Sequence, residues 1–226
     1  MARIKNVFRL FSRMQPLSDL SYIDVKNASN PANLLHEWVE EARSCGKPPF
    51  VMTLATATKN GEVSSRSVVI REITPDGYLT FTTQTHSEKK RNITENPNVA
   101  ATILMNYDNN NTNVVRQINF VGMAQTLPHE KCKAYFDTHK LPAKIRSWIA
   151  QEGTAVDWNE LKVRHDEVLK EVVEDGKVLE MPDSVVGYKI VPRKVDFYYC
   201  LPDKIGDRVV FQRDETGRWK YERVMP

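Results

Sequence analysis

Cysteine is scarce in this chain: three residues in 226, at Cys45, Cys132 and Cys200, with no CxxC spacing. That excludes a disulfide framework and a zinc site built on cysteine pairs, and it fits unpaired thiols in a reducing compartment. Long hydrophobic runs are missing too, and no stretch is long enough to span a membrane. Neither sign of charge dominates. Lys and Arg number 32 against 29 Asp and Glu, and no basic block is interleaved with aromatics, so nucleic acid is not an expected partner. The GxSxG, HExxH and P-loop patterns are absent, which removes the common hydrolase and nucleotide-phosphate signatures. The five histidines, His36, His86, His129, His139 and His165, stand apart, so no metal site is expected. The carboxylate pairs Glu40-Glu41 and Glu174-Asp175 read as a helix face and a helix end, without chemistry. There is no internal repeat and no low-complexity segment.

What remains is an ordinary globular composition, 41% hydrophobic and 27% charged, at a length that one core can serve. The stretch over 66–91 is its most informative part. Residues 66–71, Arg-Ser-Val-Val-Ile-Arg, and 78–83, Tyr-Leu-Thr-Phe-Thr-Thr, are β-branched and aromatic runs around a Pro75-Asp76-Gly77 turn. They predict two strands of a hairpin. A short helix follows, with Thr85 or Ser87 as N-cap and Asn96-Pro97 as its stop. A strand that runs into a helix N-terminus offers free N–H groups to an anion, and Arg66, the Thr82-Thr83 strand end and Lys89 converge there. This arrangement suggests a phosphate site. The alternative is that Arg66, Lys89, Lys90 and Arg91 are solvated surface charges.

Elsewhere, Asn30-Pro31 opens a helix whose Leu34, Leu35, Trp38, Val39 and Ala42 recur at helical spacing until Gly46 closes it. Strands are predicted over 50–56 and 63–73, joined at Lys59-Asn60-Gly61, then over 99–107 and 114–127. Helices are predicted over 128–138, 142–149 and 158–173, followed by strands over 185–191, 195–200, 208–213 and 219–224. Short strands with tight turns predict a mainly β, antiparallel barrel with peripheral helices. Residues 1–29 form a basic, flexible segment ahead of one domain over 30–226. The acid-poor, amphipathic start, with Arg3, Lys5, Arg9 and Arg13, leaves a mitochondrial address open beside a cytoplasmic location.

Several pieces together resemble pyridoxamine 5′-phosphate oxidase. These are the strand from Arg66 to Arg71, the Thr83-to-Lys89 turn, Arg116-Gln117, Tyr135-Phe136, Asp207-Arg208 and the ending Trp219-Lys220-Tyr221-Glu222-Arg223-Val224-Met225-Pro226. The resemblance spans 30–226. It implies an FMN-binding split β-barrel whose C-terminal part serves dimerisation and the substrate, and a homodimer with FMN across its interface. It also implies oxidation of pyridoxine or pyridoxamine 5′-phosphate to pyridoxal 5′-phosphate, with oxygen reduced to hydrogen peroxide. Arg66, Ser67, Val68, Val69, Thr82, Thr83, Lys89, Gln117, Tyr198 and Arg208 then hold FMN. Arg71, Tyr135, His139 and Lys204 hold the phosphorylated B6 vitamer, and no residue is assigned as catalytic.

The chain departs from the family at both ends of this site. Glu88 stands at a phosphate arginine, and Glu152-Gly153 at a Gln-Ser pair. Tyr198 replaces a tryptophan and Arg71 a lysine, while His139 and Ala143 replace an arginine and a serine. Gly206 stands where a histidine precedes the Asp-Arg pair, and no arginine-rich segment is evident over 14–22. Two further readings follow. One is a paralogue that binds flavin or a B6 vitamer with little oxidase activity. The other is a flavin reductase with a different substrate.

Overall fold

The computed structural model describes residues 20–25 and 29–226. The expectations for a basic amphipathic start and for the absence of an arginine-rich segment fall mainly on residues 1–19, outside the described residues. Among the described residues the chain forms nine strands and five helices. The strands are β1 Val51–Ala57, β2 Val63–Val69, β3 Glu72–Ile73, β4 Leu79–Gln84, β5 Asn98–Asn109, β6 Thr112–Thr126, β7 Val185–Cys200, β8 Asp207–Arg213 and β9 Trp219–Val224. The helices are α1 Pro31–Ser44, α2 Glu88–Glu95, α3 His129–Asp137, α4 Leu141–Ile149 and α5 Trp158–Val173. Strand order is β2-β1-β5-β6-β7-β4-β3, with β8 on β7 and β9 on β8. Burial alternates along β5 and β6, as it must where one face of a sheet packs on a core.

Two strand expectations are corrected. The segment from Arg66 to Arg71 meets the one after Gly77 only at its end, where Arg71 N donates to Thr80 O at 2.9 Å. β2 pairs with β1, Val51 facing Val69, because Asn60-Gly61 closes that hairpin first. The Pro75-Asp76-Gly77 turn instead closes β3 on β4, Glu72 facing Thr80. The second correction is β7, a single strand of 16 residues where two shorter ones were expected. Pro192 lies inside it, next to the place where β6 comes closest. A Cβ on Gly122 would lie 2.7 Å from Pro192 Cα and closer still to the Val191 carbonyl oxygen. Only glycine permits that approach. The β5–β6 turn uses Asn110 and Asn111, both at positive φ (49° and 63°), in place of the broader loop expected over 108–113.

The chain divides into two compact units. The first comprises the described residues of Met1–Pro49 with Ile103–Asn119 and Lys194–Pro226. Helix α1 is capped by the Asn30 side chain, which accepts from Ala32 N, and it buries Leu34, Leu35, Trp38 and Ala42. Trp38 meets Phe197 edge-on at 5.2 Å, and Phe197 meets Phe211 at 5.7 Å. Each such ring contributes about 1.5–3 kcal/mol by burial. Residues 20–25 lie within the segment expected to be flexible, yet they are held: Ser21 N donates to Ile205 O at 2.8 Å and Ile23 N to Asp207 Oδ2 at 2.7 Å. Arg116 is buried over Trp38 (4.7 Å) and Tyr199 (5.2 Å), and its Nη2 donates to Glu41 at 2.8 Å.

The second unit comprises Phe50–Thr102 and Phe120–Arg193. Met52, Leu54, Leu79, Phe81, Ile93, Phe120 and Ile190 are its buried core. Two satellite clusters seat the peripheral helices: Cys132 and Phe136 with Met181, and Ile145 and Ile149 with Leu179. Helix α5 buries no residue fully; its Leu161, Val168, Leu169 and Val172 lean on the second cluster.

Candidate functional site

A cavity of about 370 Å³ opens within the second unit. That is within the size range of small-molecule and cofactor sites. Its walls come from the end of β2 (Ser67, Val68, Val69), from Arg71, from the end of β4 (Thr82, Thr83, Gln84) and from Lys89. His139, Arg146, Ser147, Ala150, Glu152 and Val185 complete them. The two ends differ in chemistry.

At one end, β4 runs into α2. Ser87 caps the helix, its hydroxyl oxygen accepting from Lys90 N at 3.3 Å and lying 2.9 Å from the Thr83 hydroxyl. Lys89 is buried (7% exposed), donates to Thr83 Oγ1 at 3.3 Å and is ion-paired with Glu152. Arg66 stands one residue beyond the lining. Its guanidinium donates to Thr56 Oγ1 at 2.8 Å, to Ser64 O at 3.0 Å and to Glu88 at 3.3 Å. Glu88 also accepts from the Ser64 hydroxyl, and that bond, more than Arg66, draws its carboxyl below the usual range. Hydroxyls, a buried ammonium and a helix N-terminus at one point form a cradle whose donors are of the kind that suits a phosphate.

At the other end, Arg71 and Arg146 face the cavity. Arg71 Nε donates to Thr82 Oγ1 at 3.2 Å; burial, and then the Arg146 charge, make Arg71 easier to deprotonate than usual. The ring of His139 packs against Phe136 at 5.8 Å, and neither of its buried nitrogens has a hydrogen-bond partner among the described residues. Burial first, then Arg71, Arg146 and Lys144, lower its pKa to about 4, so the imidazole is neutral at pH 7. Guanidiniums with no carboxylate partner among the described residues, beside a neutral imidazole likewise unpartnered there, make an end suited to an anion.

Of the residues expected at the site, Ser67, Val68, Val69, Thr82, Thr83, Lys89, Arg71 and His139 line this cavity together. Tyr135 does not: its hydroxyl donates to Glu72 at 2.5 Å and lies 3.1 Å from that of Thr80, while Lys131 also holds Glu72 at 2.6 Å. Gln117, Tyr198, Lys204 and Arg208 belong to the first unit. There Arg208 grips buried Asp196 through two bonds, at 3.0 and 2.6 Å. Asp207 accepts from Arg223, which stacks over Tyr22 at 4.6 Å. Gly206 has a local reason. A Cβ there would meet the Tyr198 ring and hydroxyl at 2.6 Å, so the tyrosine fills the space a side chain would take. Sequence reasoning missed Gln84, Arg146, Ser147, Ala150 and Val185 as lining residues. Gln84 directly follows the Thr-Thr pair and joins α4 through Ala150 O at 2.8 Å. Arg146 gave no signal, because the face of α4 visible in sequence is the buried one, Ile145 and Ile149.

Among the described residues there is no group of three metal-binding side chains and no helix long and apolar enough to cross a membrane. The fold is a split β-barrel with a cavity whose donors suit an anionic cofactor, and the comparisons with known proteins narrow this. The family model described as pyridoxamine 5′-phosphate oxidase matches residues 39–170, and that for the pyridoxine 5′-phosphate oxidase C-terminal dimerisation region matches 186–226. The chain belongs to the pyridoxamine 5′-phosphate oxidase family.

Relatives named pyridoxine/pyridoxamine 5′-phosphate oxidase include one from Microcystis aeruginosa, 25% identical, covering 90% of this chain and 92% of its own. Another, from Psychrobacter cryohalolentis, is 28% identical and covers 88% and 89%. Among solved structures, PhzG from Burkholderia lata, in complex with tetrahydrophenazine-1-carboxylic acid, is 26% identical with a TM-score of 0.79, covering 93% of this chain and all of its own. A pyridoxamine 5′-phosphate oxidase-related, FMN binding protein from Nostoc punctiforme shares the fold at 17% identity, with a TM-score of 0.62 over 92% of this chain and all of its own. FMN is the cofactor of this family, and the donor set fits it: Ser67, Thr83 and Lys89 at the cavity, with Arg66 behind them.

Proposed function

We propose that this chain is an FMN-dependent oxidase that converts pyridoxine or pyridoxamine 5′-phosphate to pyridoxal 5′-phosphate. Oxygen is the final acceptor and leaves as hydrogen peroxide. The observation that carries the reading is the cationic end of the cavity, Arg71 and Arg146 around the neutral, unpartnered His139. A phosphate ester is the anion a phosphorylated B6 vitamer brings. Two guanidiniums suit it because each presents parallel N–H donors to two oxygens.

Lys89, Thr83 and Ser67 would hold the flavin's phosphate at the opposite end, and Val68, Val69 and Val185 would offer its ring an apolar wall. When bound, FMN supplies the two-electron acceptor. The chain's own residues anchor the two phosphates and exclude water from the wall between them. Neutral His139 donates one hydrogen bond to the substrate's anion and, unlike an imidazolium, keeps that role unchanged across pH 6–8. The working form is a homodimer, built on the C-terminal region. Gln117, Tyr198 and Arg208 meet the flavin and Lys204 the substrate across the interface of two copies.

A second reading has its own support. The fork of Arg71 and Arg146 receives a carboxylate as well as a phosphate, Tyr135 is engaged by Glu72, and the space at Gly206 is taken by Tyr198. PhzG, a similar protein, was solved with a carboxylated, partly reduced ring. In this reading the substrate is such an acid, oxidised by the same cofactor. The test is peroxide release by the FMN-loaded protein. Pyridoxine 5′-phosphate should be turned over and unphosphorylated pyridoxine should need at least tenfold more substrate. Peroxide from a carboxylated dihydroaromatic ring, and none from either phosphorylated vitamer, would replace the first reading with the second.

A further inference from the structure

The phosphate cradle carries an acid of its own. Glu152 is bound to Lys89 through one carboxylate oxygen and receives the Thr83 hydroxyl at 3.3 Å through the other. These are the ammonium and the hydroxyl that a phosphate at the start of α2 requires. Arg66, the next cation, has Glu88 at 3.3 Å. Lys89 and Arg66 at this end of the site are therefore each matched to a carboxylate of the same chain, whereas Arg71 and Arg146 at the other end have none among the described residues.

Glu152 also sits where it can leave. Its side chain is 46% exposed, against 8% for that of Lys89. It lies between α4 and α5 in a run of exposed residues, 151–157, without helix or strand, and Gly153 beside it has a φ of +88°. The run is tethered behind it, where Gln84 donates to Ala150 O at 2.8 Å and accepts from Glu152 N at 3.0 Å. The carboxylate can swing out while the backbone that delivers it stays in place.

We propose that Glu152 is an internal occupant of the cradle, and that its carboxylate and the flavin's phosphate exclude one another. Two anions on one buried ammonium repel, and Thr83 has one proton to donate. FMN must displace Glu152 from Lys89 to seat its phosphate, and on release Glu152 returns to satisfy a lysine that would otherwise be buried and unpaired. The consequence is specificity. The phosphate adds less to flavin affinity here than an open cradle would allow, and the preference for FMN over riboflavin is set by residue 152. This rests on the assignment of the flavin's phosphate to the Lys89 end, and not on which substrate is oxidised.

The test is titration of flavin-free protein with FMN and with riboflavin, read by quenching of flavin fluorescence, for the wild type and Glu152→Gln. Glu160→Gln on the exposed side of α5 controls for the change in net charge. The amide keeps the shape and removes the competing charge. FMN should bind Glu152→Gln about tenfold or more tightly than wild type, as expected for one charge-assisted contact given up. Riboflavin should change by less than twofold, and Glu160→Gln should match wild type for both. An unchanged or weaker FMN affinity in Glu152→Gln would overturn the proposal, as would an equal gain for riboflavin. So would a failure of either variant or the wild type to bind any flavin. Because the readout is binding, tighter FMN without B6 oxidation would sink the proposed substrate and leave this inference standing.

Discussion

Replacing Arg146 with methionine separates a binding role from a structural one. The side chain keeps its length and loses its charge, while Arg71, His139 and the β2 wall remain. If Arg146 holds the substrate's phosphate, the loss is one charge-assisted contact of about 1.5–3 kcal/mol. Arg146 is an exposed residue, so solvent screening brings this to the lower part of that range, about tenfold in affinity. Stability should move the other way. Arg146 raises the free energy of charged Arg71, so its removal relieves a like-charge contact of a few tenths of a kcal/mol. In a domain of this size that is a melting temperature unchanged or raised by up to about 2 °C. The assay pairs steady-state kinetics on pyridoxine 5′-phosphate with a thermal melt of the FMN-loaded protein. KM should rise about tenfold with kcat within about threefold, and pyridoxine without its phosphate should be unaffected. An unchanged KM, an equal loss on pyridoxine, or a large drop in melting temperature would refute the reasoning.

Other residues make shorter predictions. Gly206→His should cost about 1–3 kcal/mol by overpacking the Tyr198 ring. Most of that loss should return in the double variant with Tyr198→Ala; an equal loss in both, by urea unfolding, would place the strain elsewhere. Glu41→Gln should destabilise by about 1–3 kcal/mol, because buried Arg116 loses its counter-charge, and the one amide oxygen that remains cannot accept from both Arg116 and the Tyr107 hydroxyl as the two carboxylate oxygens do. Chemical unfolding with no change would contradict that. His139 titrates near 4 when folded and near 6.5 when unfolded, so its contribution favours the fold above pH 6.5 and is lost as pH falls toward 4. Non-titrating His139→Asn should lose less stability than wild type between pH 7 and pH 4.5, and parallel urea midpoints at the two pH values check this.

Much of the fold was legible because single residues forced it. Asn30-Pro31 starts α1, Asn60-Gly61 closes the first hairpin, and Ser87 caps α2. The errors came where local signals compete with long-range pairing. The runs on either side of Pro75-Asp76-Gly77 both have high β propensity, and two turn signals, Asn60-Gly61 and Asp76-Gly77, compete for the same strand; β2 goes to β1. Separate strands were expected over 185–191 and 195–200, but β7 continues through Pro192. At the site, Thr83, Ser87 and Lys89 lie within seven residues, and their convergence was readable. Glu152 was placed near the site only through the resemblance and Arg146 not at all, because both come from a distant segment that no spacing links to α2 or β2. Their presence depends on how α4 docks through Ile145 and Ile149 on Leu179.

The central claim, that a flavin held by the Lys89 end reacts with a phosphorylated vitamer held by Arg71 and Arg146, has a direct test. FMN-loaded protein is mixed with pyridoxine 5′-phosphate without oxygen, and the visible flavin spectrum is followed. The account predicts prompt bleaching of the oxidised flavin, and return of its colour with peroxide release when air is admitted. A bound flavin that stays oxidised with both pyridoxine and pyridoxamine 5′-phosphate would contradict it.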